Sequence, residues 1–275
     1  MRSLWIERMN QVVDYVEAHL TDELDMAEIG RIALCPAGTF LRAFALLSGA
    51  PLSEYVRRRR LTNAARDLRN GERVIDVALR YGYDSADAFS AAFRRQHGLS
   101  PSRARRGGSL TAYSKLTFQL TVKGAEGMTY RTEFRPSFEV AGIRRTTPTG
   151  GGTWALIKES GDFDRLAALG GCDLGLCFGF DQDGNNDYLC GFQCGPAGAP
   201  EGLDTFCYPD AKWLVFEARG SIASGALGEA WRRIYGELLP LSGGEVLGLP
   251  TIERYIAWDE AADCMAVDIC IAVRG

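Results

Sequence analysis

Histidine is scarce in this chain, with two copies in 275 residues, His19 and His97. No Ser/His/Asp set, glycine-rich phosphate loop or dinucleotide fingerprint accompanies them, so no catalytic constellation and no cofactor are expected. Long apolar runs are missing as well. No window approaches about 18 apolar residues, which excludes an obvious membrane-spanning helix. The opening Met-Arg-Ser-Leu-Trp-Ile-Glu-Arg has neither an uninterrupted apolar stretch nor a small-residue cleavage site, so no signal peptide is read and a cytoplasmic protein is expected. Cysteine is concentrated late, with seven of eight after residue 170. Cys172, Cys177, Cys190, Cys194 and Cys207 fit no zinc-ribbon spacing and several sit in apolar runs, so they read as small buried hydrophobes.

Lysine is absent from residues 1–107, which carry 17 Arg against 13 acids, a net +4. The remainder is acidic, with 14 basic and 22 acidic residues, a net −8. Between Arg42 and Arg106 there are 14 Arg against 6 acids, the electrostatic footprint of an anionic polymer partner. At 46% apolar and 24% charged the composition is that of a globular protein, and the length allows two cores.

The first hundred residues read as helices. Trp5, Met9, Val12, Val13, Val16 and Leu20 form one stripe from Trp5 to Leu20. Asp25 caps a helix from Met26 to Leu34, Cys35-Pro36 breaks it, and another runs from about Ala37 to Leu47, closed by Gly49. Leu52 to Asn70 is a long helix with Ser53 as its expected cap. Val74 to Arg80, a turn at Tyr81-Gly82-Tyr83, and a helix from about Ser85 to Gln96 follow, with Asp84 or Ser85 as cap. Gly98 ends that helix, and Pro101 is expected to block its continuation. A shift of 49 residues superposes Phe40 on Phe89, Ala43 on Ala92, Phe44 on Phe93 and Gly49 on Gly98, so one helix-turn-helix occurs twice.

Tyr-Gly-Tyr, then Phe-x-x-x-Phe-Arg-Arg, then Gly-Leu-Ser-Pro resembles the signature of AraC-type transcription regulators. Pro-Leu-Ser-Glu-Tyr-Val-Arg-Arg-Arg-Arg-Leu-Thr-Asn-Ala-Ala-Arg-Asp-Leu resembles their linker helix. The resemblance covers residues 5–106. It implies double-stranded DNA as partner, both reading helices in the major groove, and RNA polymerase at the promoter. Carried over by position, the outward face of the first reading helix is Ala37, Gly38, Leu41 and Arg42, and of the second Ala86, Asp87, Ser90 and Ala91. These are smaller than is usual in the family. Arg42 is the candidate guanine contact, because a forked donor matches O6 and N7 together. Thr39, Ser85 and Ser90 can reach phosphate or base, and Arg58, Arg94 and Arg95 phosphates. Arg94 and Arg95 also fit a solvated helix end.

Gly107-Gly108-Ser109 marks a boundary. We read residues 1–107 as the DNA-binding domain, 108–127 as a docked linker with a β-like patch at 116–122, and 128–275 as an α+β domain. Its strands are expected at 128–134, 138–145, 174–180, 187–194, 213–219, 252–258 and 264–273, and its helices at 153–169, broken near Gly161, and 225–239. Pro136-Ser-Phe-Glu-Val followed by the Trp154 helix echoes Pro209-Asp-Ala-Lys-Trp followed by the Trp231 helix. These pseudo-symmetric strand-strand-helix-strand halves, Asp181-Gln-Asp-Gly, and Thr-Ile-Glu-Arg-Tyr are similar to the GyrI-like small-molecule-binding domain. The expected fold is therefore multidomain, an all-α double helix-turn-helix followed by an α+β GyrI-like domain. The resemblance implies a groove between the halves that holds a small effector, such as a lipophilic cation, against a carboxylate at Glu253. Strand alternation sets Tyr255 on the same face, and Trp154, Phe178, Trp213 and Trp258 are candidate walls or plain core. Some relatives resemble hydrolases that use this glutamate as a base. The readings left open are a ligand-responsive regulator, a hydrolase fused to a DNA-binding module, and a regulator whose second domain binds only a protein.

Overall fold

The stripe of Met9, Val12, Val13, Val16 and Leu20 is buried in the computed structural model of the chain, which describes residues 4–119, 127–148, 150–242 and 245–274. All of it but Leu20 lies on α1 (Leu4–Ala18), against α2 (Met26–Ala33). Asp25 caps α2 by accepting from the Ala27 amide at 2.8 Å. α3 (Ala37–Ser48) follows the Cys35-Pro36 break, and Gly49 closes it in the left-handed region at φ 77°. α4 (Leu52–Arg69) has the expected length, but Ser53 sits inside its first turn and does not cap it. The Ser53 amide instead donates to the Gln182 carbonyl at 3.0 Å, so the second domain satisfies an orphan donor of this helix. α5 (Val74–Arg80) and α6 (Ala86–His97) flank the Gly82 turn, and Ser85 accepts from the Ala88 amide at 3.1 Å.

The chain does not stop being helical at Pro101. Ser100 caps a further helix, α7 (Pro101–Arg106), which Pro101 opens. Proline has no N–H to lose and a preset φ at a first helical position, so here it starts an element. The expected β-like patch is not a strand over residues 116–119, and 120–122 lie outside the described residues. That stretch docks on the helical half: Phe118 is buried, and its amide and carbonyl pair with the Asn10 side chain at 2.8 and 2.9 Å.

The remainder forms a nine-stranded antiparallel sheet of β1 (Tyr130–Arg135), β2 (Phe138–Thr147), β3 (Leu174–Phe180), β4 (Asn186–Gln193), β5 (Asp204–Tyr208), β6 (Ala211–Gly220), β7 (Glu245–Val246), β8 (Thr251–Asp259) and β9 (Cys264–Arg274). β5 and β7 are not among the expected strands. The order is β1-β6-β9-β8-β3-β4-β2-β5, with β7 on β9. The halves β1-β2-β3-β4 and β5-β6-β8-β9 meet at β3 and β8, and each lends its first strand to the other's edge. α8 (Gly150–Glu159) and α9 (Asp162–Leu169), separated by Gly161 at φ 79°, cross the first half. α10 (Ala226–Arg233), a π-helical turn (Ile234–Leu238) and α11 (Leu239–Ser242) cross the second.

The cores do not follow the domain boundary. Val12, Ile29, Phe40 and Phe44 share one buried cluster with Phe216, Trp231, Ile234 and Ile269 of the α+β half. Leu61, Leu68, Val77, Phe89, Phe93 and Ala104 form a separate cluster. α4 spans both, burying Leu52, Tyr55 and Val56 in the first and Leu61, Ala64, Ala65 and Leu68 in the second.

Candidate functional site

Glu253 lies on β8 at the junction of the halves, with 5% of its surface exposed. Burying a carboxylate is unfavourable unless its lone pairs are filled. Here Oε1 accepts from Trp231 Nε1 at 2.6 Å and Arg42 Nη2 at 3.2 Å, and Oε2 from the hydroxyls of Tyr188 at 2.6 Å and Tyr255 at 2.9 Å. Trp154 Nε1 donates in turn to the Tyr255 hydroxyl at 3.2 Å. Burial first, and then the negative charge of Glu253, push the Tyr188 and Tyr255 pKa values far up, so both remain phenol donors. Gly175 stands opposite Glu253 in the neighbouring strand, and a Cβ there would fall 1.7 Å from the Tyr188 hydroxyl. Its missing side chain is what lets Tyr188 reach the carboxylate.

Arg42 is not on an outward face. It is 5% exposed, and its guanidinium lies 3.6 Å from the Trp231 ring centroid, with Nη1 donating to Thr251 Oγ1 at 2.9 Å. The face of α3 expected to face outward is pressed on β3 because both sides lack side chains at the crossing. A Cβ on Gly38 would come within 3.0 Å of Gly179 Cα, and one on Gly179 within 2.9 Å of Gly38 Cα. Leu41 is buried and Thr39 half-buried. The Asp181–Gly184 turn seats beside the crossing, with Gly184 facing Pro51.

A cavity of about 1070 Å³ opens beside this network, between the two domains. Trp154, Tyr255, Trp258, Glu253 and Arg42 line it, as does Phe180. Phe178 and Trp213 do not line it. Trp213 is buried on the opposite sheet face with Tyr208, and Phe178 packs at the edge of that cluster. Phe178 follows the alternation of Leu174 and Leu176 onto that opposite face, and a bulge between Cys177 and Gly179 then flips the alternation and delivers Phe180 to the cavity. Sequence reasoning missed Phe180, Tyr188 and Trp231 as site residues. Only Trp231 left a signal, since it matches Trp154 in the repeated half. The cysteines are all free. Cys177 and Cys190 are buried, Cys172 and Cys194 half-buried, and Cys207 is exposed, contrary to the reading of all five as buried.

On α6, Ser85, Asp87, Arg94 and Arg95 are exposed and Ala86 and Ser90 half-buried, so this face is open. Much of the basic block is held internally. Arg57 and Arg58 pair with Glu54, Arg59 with Glu17, Arg73 with Asp76, and Arg80 with Asp67 and Glu72. Arg94, Arg95, Arg103 and Arg106 form no ion pair among the described residues and point from the end of α6 and from α7.

An open helix-turn-helix joined to a domain with a carboxylate-floored cavity defines a DNA-binding protein that carries a small-molecule site. The chain matches a helix-turn-helix domain over residues 30–107 and the GyrI-like small molecule binding domain over 128–274. The HTH-type transcriptional activator AarP of Providencia stuartii is 35% identical over 109 residues, 39% of this chain and 79% of that one. The regulatory protein SoxS of Salmonella typhimurium is 32% identical over 95 residues, 34% of this chain and 89% of that one. A solved transcription regulation protein from Staphylococcus aureus MU50 is 23% identical, covers 54% of this chain and 100% of its own, and has a TM-score of 0.42. The chain belongs to the AraC-type DNA-binding transcription regulators with a C-terminal GyrI-like small-molecule-binding domain.

Proposed function

We propose that this regulator binds duplex DNA through α6, with α3 as its second reading helix, and an apolar cation in the cavity at Glu253. The observation that carries the effector reading is the buried carboxylate among Trp154, Trp231, Tyr188 and Tyr255, which already holds a cation, Arg42. A desolvated carboxylate favours a cation, and aromatic faces add to the attraction. On DNA, Ser85, Ala86, Asp87 and Ser90 face the bases and Arg94, Arg95 and Arg58 the phosphates. Gly38, Thr39, Leu41 and Arg42 join them once α3 is free. The work is cytoplasmic, and at a promoter the next partner is RNA polymerase.

A hydrolase role for Glu253 is disfavoured, because four donors fill its four acceptor positions and leave none to activate a water. The test is calorimetry with benzyltrimethylammonium and its neutral isostere neopentylbenzene. Glu253→Gln should weaken the cation by about 2–5 kcal/mol, the scale for a buried charge partner, and the neutral compound far less. Equal losses for both would sink the reading, and turnover of an ester probe that disappears in the variant would favour the hydrolase.

A further inference from the structure

The donor set around Glu253 is complete without any small molecule, and one member comes from the other domain. Arg42 on α3 supplies a flat cation that stacks on Trp231 and hydrogen-bonds Glu253 and Thr251. Four acceptor positions and four donors leave an entering cation no lone pair on Glu253. The second helix-turn-helix has no counterpart, since a shift of 49 residues places Ala91 at this position, and Ala91 is exposed. The same contact holds α3 on β3 through the facing Gly38 and Gly179. With Leu41 and Arg42 buried, α3 cannot lie in a groove of DNA while docked.

We propose that Arg42 is the built-in occupant of the Glu253 site, and that planar cations of the guanidinium or amidinium class bind by displacing it and so release α3 from β3. The slot is shaped for that chemistry: an indole face for stacking, a carboxylate oxygen and a hydroxyl for two in-plane N–H donors, and the cavity beyond for an aryl substituent. Cation binding and DNA reading by the first helix are then coupled because one guanidinium cannot be in both places. The inference rests on the cation reading of Glu253.

Phenylguanidinium, titrated calorimetrically into the full chain, separates the two. Arg42→Gln, whose amide stops two bonds short of the Glu253 contact, removes the competing cation and should bind phenylguanidinium at least about tenfold tighter than wild type, whereas Glu253→Gln should lose binding. Saturating phenylguanidinium should also speed amide exchange over residues 37–48 of wild type and leave residues 86–97 unchanged. If Glu253→Gln loses binding but Arg42→Gln gains nothing and the α3 amides keep their protection, the displacement is wrong and the cation site stands. If Glu253→Gln binds as well as wild type, the cation reading itself falls. Should Arg42→Gln fail to fold, Gly38→Ala loosens the α3–β3 contact without touching the slot and must show a smaller gain in the same direction. No gain there overturns the proposal.

Discussion

The two helix-turn-helix units repeat at a spacing of 49 residues and bury the same ring pairs, Phe40 and Phe44 against Phe89 and Phe93. Their surroundings differ at three matched positions. Pro36 precedes α3 with no side-chain cap, where Ser85 caps α6; Gly38 meets β3, where Asp87 meets solvent; Arg42 reaches Glu253, where Ala91 is exposed. The first unit borrows its end, its neighbours and its core from the effector domain. The second closes on itself. A helix-turn-helix therefore need not be an independent module: small residues on its outer face let a sheet approach, and one long charged side chain then ties it to a carboxylate there.

The largest effects should separate the two cores. Phe40→Ala and Phe89→Ala each remove a fully buried ring and should cost about 3–5 kcal/mol. All five tryptophans lie outside the second unit, so tryptophan fluorescence in a urea melt should shift with Phe40→Ala and stay with Phe89→Ala, while far-ultraviolet dichroism detects both. A single shared transition for both variants would mean that α4 couples the cores into one. Next in size, Gly38→Ala forces a Cβ into the β3 backbone and should destabilise the docked state by about 1–3 kcal/mol, whereas Asp87→Ala at the matched position should stay within about 0.5 kcal/mol. Equal exchange protection of α3 in wild type and Gly38→Ala would show that the contact is not tight.

Ser85→Ala should lose about 1 kcal/mol by removing the α6 cap, read as an earlier loss of helical signal in the second unit. On DNA, Arg94→Ala and Arg95→Ala should each weaken binding uniformly across sequences and lower the salt slope by about 1. A change confined to one sequence would make them base readers. The smallest effect concerns acid. His97 is buried with Nε2 at 3.1 Å from the Leu61 carbonyl, and burial, outweighing its backbone contacts, lowers its pKa below the ordinary value of about 6.5. The unfolded chain then takes up this proton before the folded one. The second unit should be at full stability above about pH 6.5 and lose some as pH falls below it. His97→Gln should flatten that dependence, and an unchanged profile would assign it elsewhere.

Helix positions, the repeat, the Gly82 turn, the Ser85 cap and the pairing of Glu253 with Tyr255 on one strand face were legible in the chain, because each rests on local periodicity or on backbone preferences within a few residues. Trp154 and Trp258, two of the four aromatics that the resemblance offered as walls or plain core, line the cavity. Phe178 and Trp213 were misplaced because alternation does not announce which sheet face faces the helices, and Phe180 was missed because the bulge between Cys177 and Gly179 intervenes. Glu253 and Arg42 are 211 positions apart. No periodicity relates them, and an arginine suited to a guanine edge is equally suited to a carboxylate, since both offer paired acceptors to the same planar fork. The residue types were set by the sequence; which anion Arg42 faces was decided only when Gly38 and Gly179 let helix and sheet come together.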